Sequence, residues 1–259
     1  MTQAGDRKRI WISLLTGVAW TLVTLFGLQW ANDGGQKPLL ETVSHGISWN
    51  LAMAIAVLAA ATAAMRWRDL KFVAPKPVGS LRVLWFPALY LLLFAAMPAV
   101  LGLPPAEVLL FVAANTILVG ISEEWMFRGV LFQGLRSRLP MWPSILLTSA
   151  LFGSVHVLNV IVTGHFGEAV VQAVAAFMSG FVMIALLVRT GSIWVPIVYH
   201  ALWDLGTFVI SARSAATTTP IDVSQGWNWT LPVAMVLPNF LFAIYLLRGV
   251  RNDARLTTD

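Results

Sequence analysis

The sequence predicts an all-helical (all-α) membrane protein, a polytopic bundle of about eight transmembrane helices in a single domain over residues 1–259. Apolar residues make up 58% of the chain and charged residues only 11%, less than half the ~25% typical of soluble domains. The apolar residues also fall in runs of about 20, the length that a helix needs to cross a bilayer. Most of the basic residues lie between these runs, as is typical of membrane proteins.

Eight apolar runs are the predicted spans. The first, at 10–30, follows Arg7-Lys8-Arg9 and is longer than the apolar core of a secretory signal peptide, so we expect a retained span. The others lie at about 47–65, 84–103, 106–135, 143–162, 169–188, 193–210 and 231–247. Pro143 lies near the start of the fifth, where a missing N–H costs little. Tryptophans near many span ends indicate an interfacial belt.

The basic residues predict that both termini are cytoplasmic. With a cytoplasmic N-terminus, the outer loops hold only Lys37 and Arg213, and Arg128 lies within a span. The cytoplasmic segments hold all the others: Arg7, Lys8, Arg9, Arg66, Arg68, Lys71, Lys76, Arg82, Arg136, Arg138, Arg189, Arg248, Arg251 and Arg255. Residues 217–229, which include Thr-Thr-Thr-Pro, are predicted to form an outer loop.

These flanking residues explain the net charge of +5, so no nucleic-acid partner is expected. The expected partner of these segments is the lipid bilayer, and the expected location is the cytoplasmic (inner) membrane. The sequence has no cysteine, which excludes disulfides, a thiolate nucleophile and a cysteine-based metal site.

A charged motif interrupts the fourth span, with the sequence Ser122-Glu123-Glu124-Trp125-Met126-Phe127-Arg128-Gly129. A charge at the centre of a membrane helix costs ~2.5–3.5 kcal/mol, so three charges here need a compensating role. Glu124 and Arg128 are spaced to pair on one helix face. Glu123 lies about a hundred degrees round the helix, without a partner there. It must therefore meet another helix, face water or carry a proton.

Three more titratable residues lie within predicted spans. His156 is in the fifth span, four residues after Phe152, and His200 and Asp204 are four residues apart in the seventh. Helix geometry allows these residues to meet Glu123 in the middle or cytoplasmic part of the bundle. Each has a structural interpretation, as an ion pair or an interhelical hydrogen bond. As a set they favour a function, since ionisable groups inside membranes are rarely structural alone.

Three kinds of chemistry fit a glutamate with two histidines. Peptide hydrolysis needs an activated water, an acid for the leaving amine and donors for the oxyanion. The same groups are compatible with zinc held by Glu123, His156 and His200, although no HExxH motif occurs. Buried Glu and His also serve proton-coupled transporters, but the two related halves typical of many transporters are not apparent.

The three motifs resemble those of the CPBP family, also called the Abi family. It includes CAAX prenyl proteases and bacterial bacteriocin-processing relatives. The resemblance covers about 106–210: Glu123-Glu124-x-x-x-Arg128, Phe152-x-x-x-His156 and His200-x-x-x-Asp204. It implies an eight-span intramembrane endopeptidase of the glutamic type, with a cavity that opens to the cytosol or the membrane and without a cofactor. The partner that it implies is a membrane-anchored protein or peptide substrate. It also leaves open a protease-like scaffold or immunity protein that binds a partner without cleavage.

The resemblance implies a role for each motif residue. Glu123 is the general base, His156 is its partner on the nucleophilic water, and His200 and Asp204 occupy the oxyanion or second water-ligand positions. Glu124 and Arg128 support the site as the pair that orients Glu123. The prenyl proteases usually have Asn where this chain has Asp204, and Asp donates a hydrogen bond only when protonated. Asp204 is therefore an oxyanion donor, an orienting partner of His200 or an acceptor from the attacking water.

Overall fold

The computed structural model describes residues 3–217 and 230–252, and this part of the chain contains helices and loops but no strand. The helices are α1 (Gln3–Ala31), α2 (Leu39–Ser44), α3 (Trp49–Met65), a 3₁₀ turn (Val78–Leu84) that leads into α4 (Trp85–Ala96), α5 (Pro98–Leu101), α6 (Ala106–Glu124), a π-helical segment (Trp125–Leu131), α7 (Phe132–Arg136), α8 (Met141–Val157), α9 (Asn159–Thr163), α10 (Phe166–Thr190), α11 (Trp194–Thr217) and α12 (Thr230–Leu247).

These helices confirm the predicted all-helical, multi-pass architecture. Seven described segments are long and apolar enough to cross a membrane: Lys8–Ala31, Val78–Leu101, Ala106–Arg136, Met141–Thr163, Phe166–Thr190, Trp194–Ser214 and Thr230–Leu247. The second predicted span forms α3, an apolar helix of 17 residues that is shorter than these. The predicted loop at 217–229 lies outside the described residues, apart from Thr217 at the end of α11. The cytoplasmic orientation of the termini stays a prediction.

The fourth span is not one regular helix, which the sequence does not predict. After Glu124 the chain continues as the π-helical segment, which a short α-helix, α7, then follows. Residues 126–131 are all buried. The apolar residues among them pack in a cluster with Trp20, Leu58 and Phe152 from three other helices. Such π turns are rare and often occur at functional sites.

α10 lies at the centre of the bundle and has the largest buried share of the candidate spans. It packs against α8 on one side and α12 on another, and also contacts α11. α6 packs against α11 and α3, and α1 packs against α3. This arrangement brings together α6, α8 and α11, the three helices that carry the predicted site residues.

Two glycines let these helices approach closely. A Cβ atom on Gly120 of α6 would lie 2.8 Å from the Ile197 carbonyl oxygen of α11. One on Gly153 of α8 would lie 2.7 Å from the Ala173 carbonyl oxygen of α10. Small residues at such contacts are the usual device for tight packing of membrane helices. Gly120 lies one turn before Glu124, and Ile197 lies one turn before His200. Close packing of Gly120 against Ile197 therefore sets the distance between Glu124 and His200.

We expect Gly120→Val to separate α6 from α11 and to lower the thermal stability of the protein in detergent, because overpacking typically costs about 1–3 kcal/mol. Gly79→Val is the matched control, since nothing lies within 4 Å of a Cβ atom there. A Gly120→Val variant with the thermal stability of the parent protein would contradict this account of the contact.

Candidate active site

Glu124 and Arg128 form a fully buried ion pair, as predicted. Arg128 Nη1 lies 3.1 Å from Glu124 Oε1, and both side chains are 0% exposed. Arg128 Nη2 donates to the Gly180 carbonyl oxygen of α10 at 3.4 Å. The guanidinium also lies over the Phe152 ring of α8, 4.3 Å from its centroid. The pair therefore ties α6 and the π-helical segment to two other helices.

Glu124 also binds His200. The Nδ1 atom of His200 lies 2.7 Å from Glu124 Oε1. Because an ionised carboxylate can only accept, Nδ1 carries a hydrogen and donates the hydrogen bond to Glu124. The side chain that Glu124 contacts directly is thus the imidazole of His200, and the expectation that Glu124 and Arg128 orient Glu123 stays a prediction. The two glutamates are adjacent in sequence and point in different directions, so only one of them reaches Arg128.

The other nitrogen of His200 faces two carboxylates. Nε2 lies 3.5 Å from Asp204 Oδ2 and 3.9 Å from Glu123 Oε2. Asp204 is thus adjacent to the imidazole, but on the side opposite Glu124 and at a longer distance. The shortest of these contacts is the one to Glu124, so Glu124 rather than Asp204 fixes the orientation of the ring.

His156 is held by its own helix. Its Nδ1 atom donates to the Phe152 carbonyl oxygen at 2.7 Å, one turn back along α8. The Phe152 ring packs edge-on against the imidazole, with 4.9 Å between the ring centroids. Since a carbonyl oxygen only accepts, Nδ1 carries a proton, and Nε2 of the neutral ring is an acceptor. His156 therefore offers a lone pair to a water molecule.

A cavity of about 310 Å³ brings the predicted residues together. Glu123, His156, His200 and Asp204 all line it, whereas Glu124 and Arg128 do not. Glu123 Oε2 is buried and has no hydrogen-bond partner among the residues that the structure describes. The side chain of Glu123 is nevertheless 15% exposed, because it faces the cavity. A free carboxylate oxygen, two imidazoles and a second carboxylate thus line one cavity.

The sequence analysis missed the part of the site that comes from the N-terminal third. Trp20 of α1 lines the cavity and donates from Nε1 to Ser122 Oγ at 2.8 Å, next to Glu123. Asn115 of α6 binds the loop before α3: its Oδ1 accepts from the Ser48 N–H, and its Nδ2 donates to the carbonyl oxygens of Val43 and Gly46. In the sequence, the signal for these contacts is the presence of Trp20 in the first predicted span and of Asn115 and Ser122 in the fourth.

Two tryptophans next to motif residues pack rather than line the cavity. Trp125 donates from Nε1 to Thr62 Oγ1 at 3.2 Å, and Trp203 packs against Tyr90 and Phe94. Neither is among the residues that form the cavity walls.

The zinc alternative can be compared with the side-chain arrangement. In the described part of the chain, no three His, Asp or Glu side chains are grouped as a metal site would require. Glu123, His156 and His200 share the cavity without forming such a group. The metal requirement stays a question for experiment.

Comparison with known proteins gives a family for the part of the chain that carries these motifs. Residues 105–206 match a protein-family model described as Rce1-like, type II CAAX prenyl endopeptidase Rce1-like. No curated protein and no solved structure matches the chain. The matched residues begin at the start of α6, end within α11 and include every motif residue named above. Residues 105–206 of this multi-pass membrane protein are therefore similar to the Rce1-like CAAX proteases, in agreement with the resemblance of the three motifs.

Proposed function

We propose that this protein is an intramembrane endopeptidase that hydrolyses a peptide bond of a membrane-associated protein or peptide, with a water molecule activated by Glu123 and His156. The observation that carries the proposal is the free Oε2 atom of Glu123, which shares a cavity with both histidines. A buried carboxylate oxygen without a partner is costly, so it is retained where chemistry needs an acceptor. The match to an endopeptidase family supports the same reaction class.

The first step of the proposed reaction is attack by water. Water donates one hydrogen bond to Glu123 Oε2 and another to Nε2 of His156. As the water oxygen bonds to the carbonyl carbon, Glu123 takes its proton. The protonated carboxyl group then gives that proton to the leaving amine as the C–N bond breaks. The atoms balance with no cofactor, since water supplies the hydroxyl group of the new acid and the proton of the new amine.

The second requirement is a donor for the oxyanion. His200 donates from Nδ1 to Glu124, so Nε2 is the nitrogen that faces the cavity. When Nε2 carries a proton, it can donate to the oxyanion, and the buried Glu124 carboxylate balances the imidazolium charge. Asp204, 3.5 Å from Nε2, accepts from this N–H until the oxyanion forms. This role requires an acceptor, which Asp supplies in its ionised form.

The active protein should lose cleavage when Glu123 is changed to Gln or His156 to Ala. We expect a fall in kcat of about 10²–10⁴-fold, the range that positioned acid–base groups contribute. Matched controls are Glu107→Gln and His165→Ala, because both residues are exposed and outside the cavity. A substrate for the assay can be identified by proteomics. A membrane protein that is shortened in cells with the active protein, but intact in cells with the Glu123→Gln variant, is a candidate.

The scaffold alternative predicts a different result in cells. If Glu123→Gln fully restores a phenotype that loss of the protein causes, the protein acts by binding and not by cleavage. Unchanged cleavage by purified Glu123→Gln would likewise refute the proposed base.

The role of Glu124 can be separated from its contribution to stability. Arg128→Met alone leaves a buried carboxylate without its cation, and we expect an apparent loss of about 3–5 kcal/mol in the free energy of unfolding. The double variant Glu124→Gln/Arg128→Met removes both charges, so much of this stability should return. Its kcat should remain at least ~10²-fold low with little change in KM, since His200 lacks its anionic partner. A stable double variant with full activity would show that Glu124 does not position His200.

The proposed reaction needs no metal. We expect purified, active protein to keep its activity after prolonged treatment with a chelator and removal of the chelated ions. Metal analysis of the same sample is the check that the treatment worked. Loss of activity that added zinc restores would instead favour zinc held by Glu123, His156 and His200.

A further inference from the structure

The cavity at Glu123 extends toward one end of the bundle only. On the N-terminal helices its walls are the second half of α1, helix α2 and the first turn of α3, including Leu28, Thr42 and Asn50. On α8 to α10 they are the end of α8, helix α9 and the start of α10, which lie at that same end. In the described chain, no cavity residue comes from the loops at 66–77, 137–140, 191–193 or 248–252.

The opposite end is closed by apolar packing. The buried residues 126–131 follow shortly after Glu124, and the apolar ones among them pack with Trp20, Leu58 and Phe152. This layer lies between Glu123 and the loops at that end of the bundle. Water and substrate therefore reach Glu123 from the side of α2 in this conformation.

Hydrogen bonds and an ion pair show that the basic loops gather at the closed end. Arg9 near the start of α1 pairs with Asp69 at 2.7 Å. The Ile193 N–H donates to the Lys71 carbonyl oxygen, and the Met141 N–H donates to that of Asn252. At the cavity end, the Lys37 N–H donates to the Val162 carbonyl oxygen. Lys37 and Arg213 are the basic residues of that end in the described chain.

This asymmetry gives the cavity a direction in the membrane. Basic loops face the cytoplasm in multi-pass membrane proteins, so the closed end is cytoplasmic and the cavity end is extracytoplasmic. The lining residues also limit the charge of what can bind. They include the carboxyl groups of Glu123 and Asp204 but no Lys or Arg, and the other polar groups are histidine, hydroxyl, amide and indole groups. A free C-terminal carboxylate or a phosphate would meet no counter-charge there.

We propose that the protein receives its substrate from the extracytoplasmic side of the membrane, as a neutral or positively charged peptide segment. That the bound segment is a substrate rests on the proposed function, whereas the side of access and the charge preference rest on the cavity and the basic loops. The direction differs from the cytosolic opening that the family resemblance allows. It places the bond to be cut in an extracytoplasmic or outer-leaflet part of a membrane-associated protein.

Thiol labelling tests the direction directly, because the chain has no cysteine of its own. Single-cysteine variants at Thr42 and Thr207 report on the cavity, and Ala74→Cys reports on the exposed basic end. We expect a membrane-impermeant reagent to label the two cavity cysteines in intact cells, and to label Ala74→Cys only in inside-out vesicles. Cavity labelling from the inside-out vesicles alone, or no labelling of Thr207→Cys from outside, would overturn the proposal.

The charge preference is measured at Thr207→Cys, one turn from Asp204. A cationic thiosulfonate should react about tenfold faster than an anionic one of similar size, relative to their rates with a free thiol. Adding Glu123→Gln and Asp204→Asn should reduce this ratio toward that of the free thiol. Equal relative rates in the parent background would contradict the predicted substrate charge.

The labelling result does not depend on catalysis. The Glu123→Gln variant should show the same sidedness, so failure of the endopeptidase proposal leaves this test intact. Conversely, cytoplasmic labelling in a protein that still cleaves peptides would refute only the direction of access.

Discussion

One carboxylate oxygen organises the centre of the bundle. Glu124 Oε1 accepts from Arg128 Nη1 on one side and from His200 Nδ1 on the other. Arg128 in turn reaches the Gly180 carbonyl oxygen of α10 and the Phe152 ring of α8. Four helices thus converge on one buried charge. Because an unpaired charge is strongly disfavoured in a membrane interior, these contacts must form together, which fixes how the helices are rotated relative to one another.

The adjacent glutamates show how the same residue type takes two roles. The Oε1 atom of Glu124 accepts from both Arg128 and His200, so this residue has a structural and orienting role. Glu123 lies a hundred or so degrees round the helix and faces the cavity, where Oε2 has no hydrogen-bond partner in the described chain. Its neighbours there, His156 and His200, each have Nδ1 held by a protein acceptor, and both side chains line the cavity. Residues that hold the helices together therefore alternate along the chain with residues that face the cavity.

Much of this arrangement follows from the sequence, and the rest depends on tertiary contacts. Apolar runs predict the helices, and the Glu124–Arg128 spacing predicts the ion pair, because both are local properties. The bond between Glu124 and His200 joins residues 76 positions apart, so no local pattern identifies which glutamate His200 meets. The π-helical turn is equally hidden, since its residues have ordinary helical composition. The contribution of Trp20 and Asn115 was missed because isolated polar residues in apolar spans usually serve only as packing contacts.

The glycine contacts divide the molecule into a stiff and an adaptable part. At Gly120 and Gly153, backbone lies against backbone, and α6, α8, α10 and α11 have almost no room to shift. The wall made by α1, α2 and α3 is attached through side chains instead: the apolar cluster around Trp20 and Leu58, and the hydrogen bonds of Trp20 and Asn115. Under the proposed function, a bulky peptide would therefore be accommodated by displacement of this N-terminal wall, while Glu123, His156 and His200 keep their spacing.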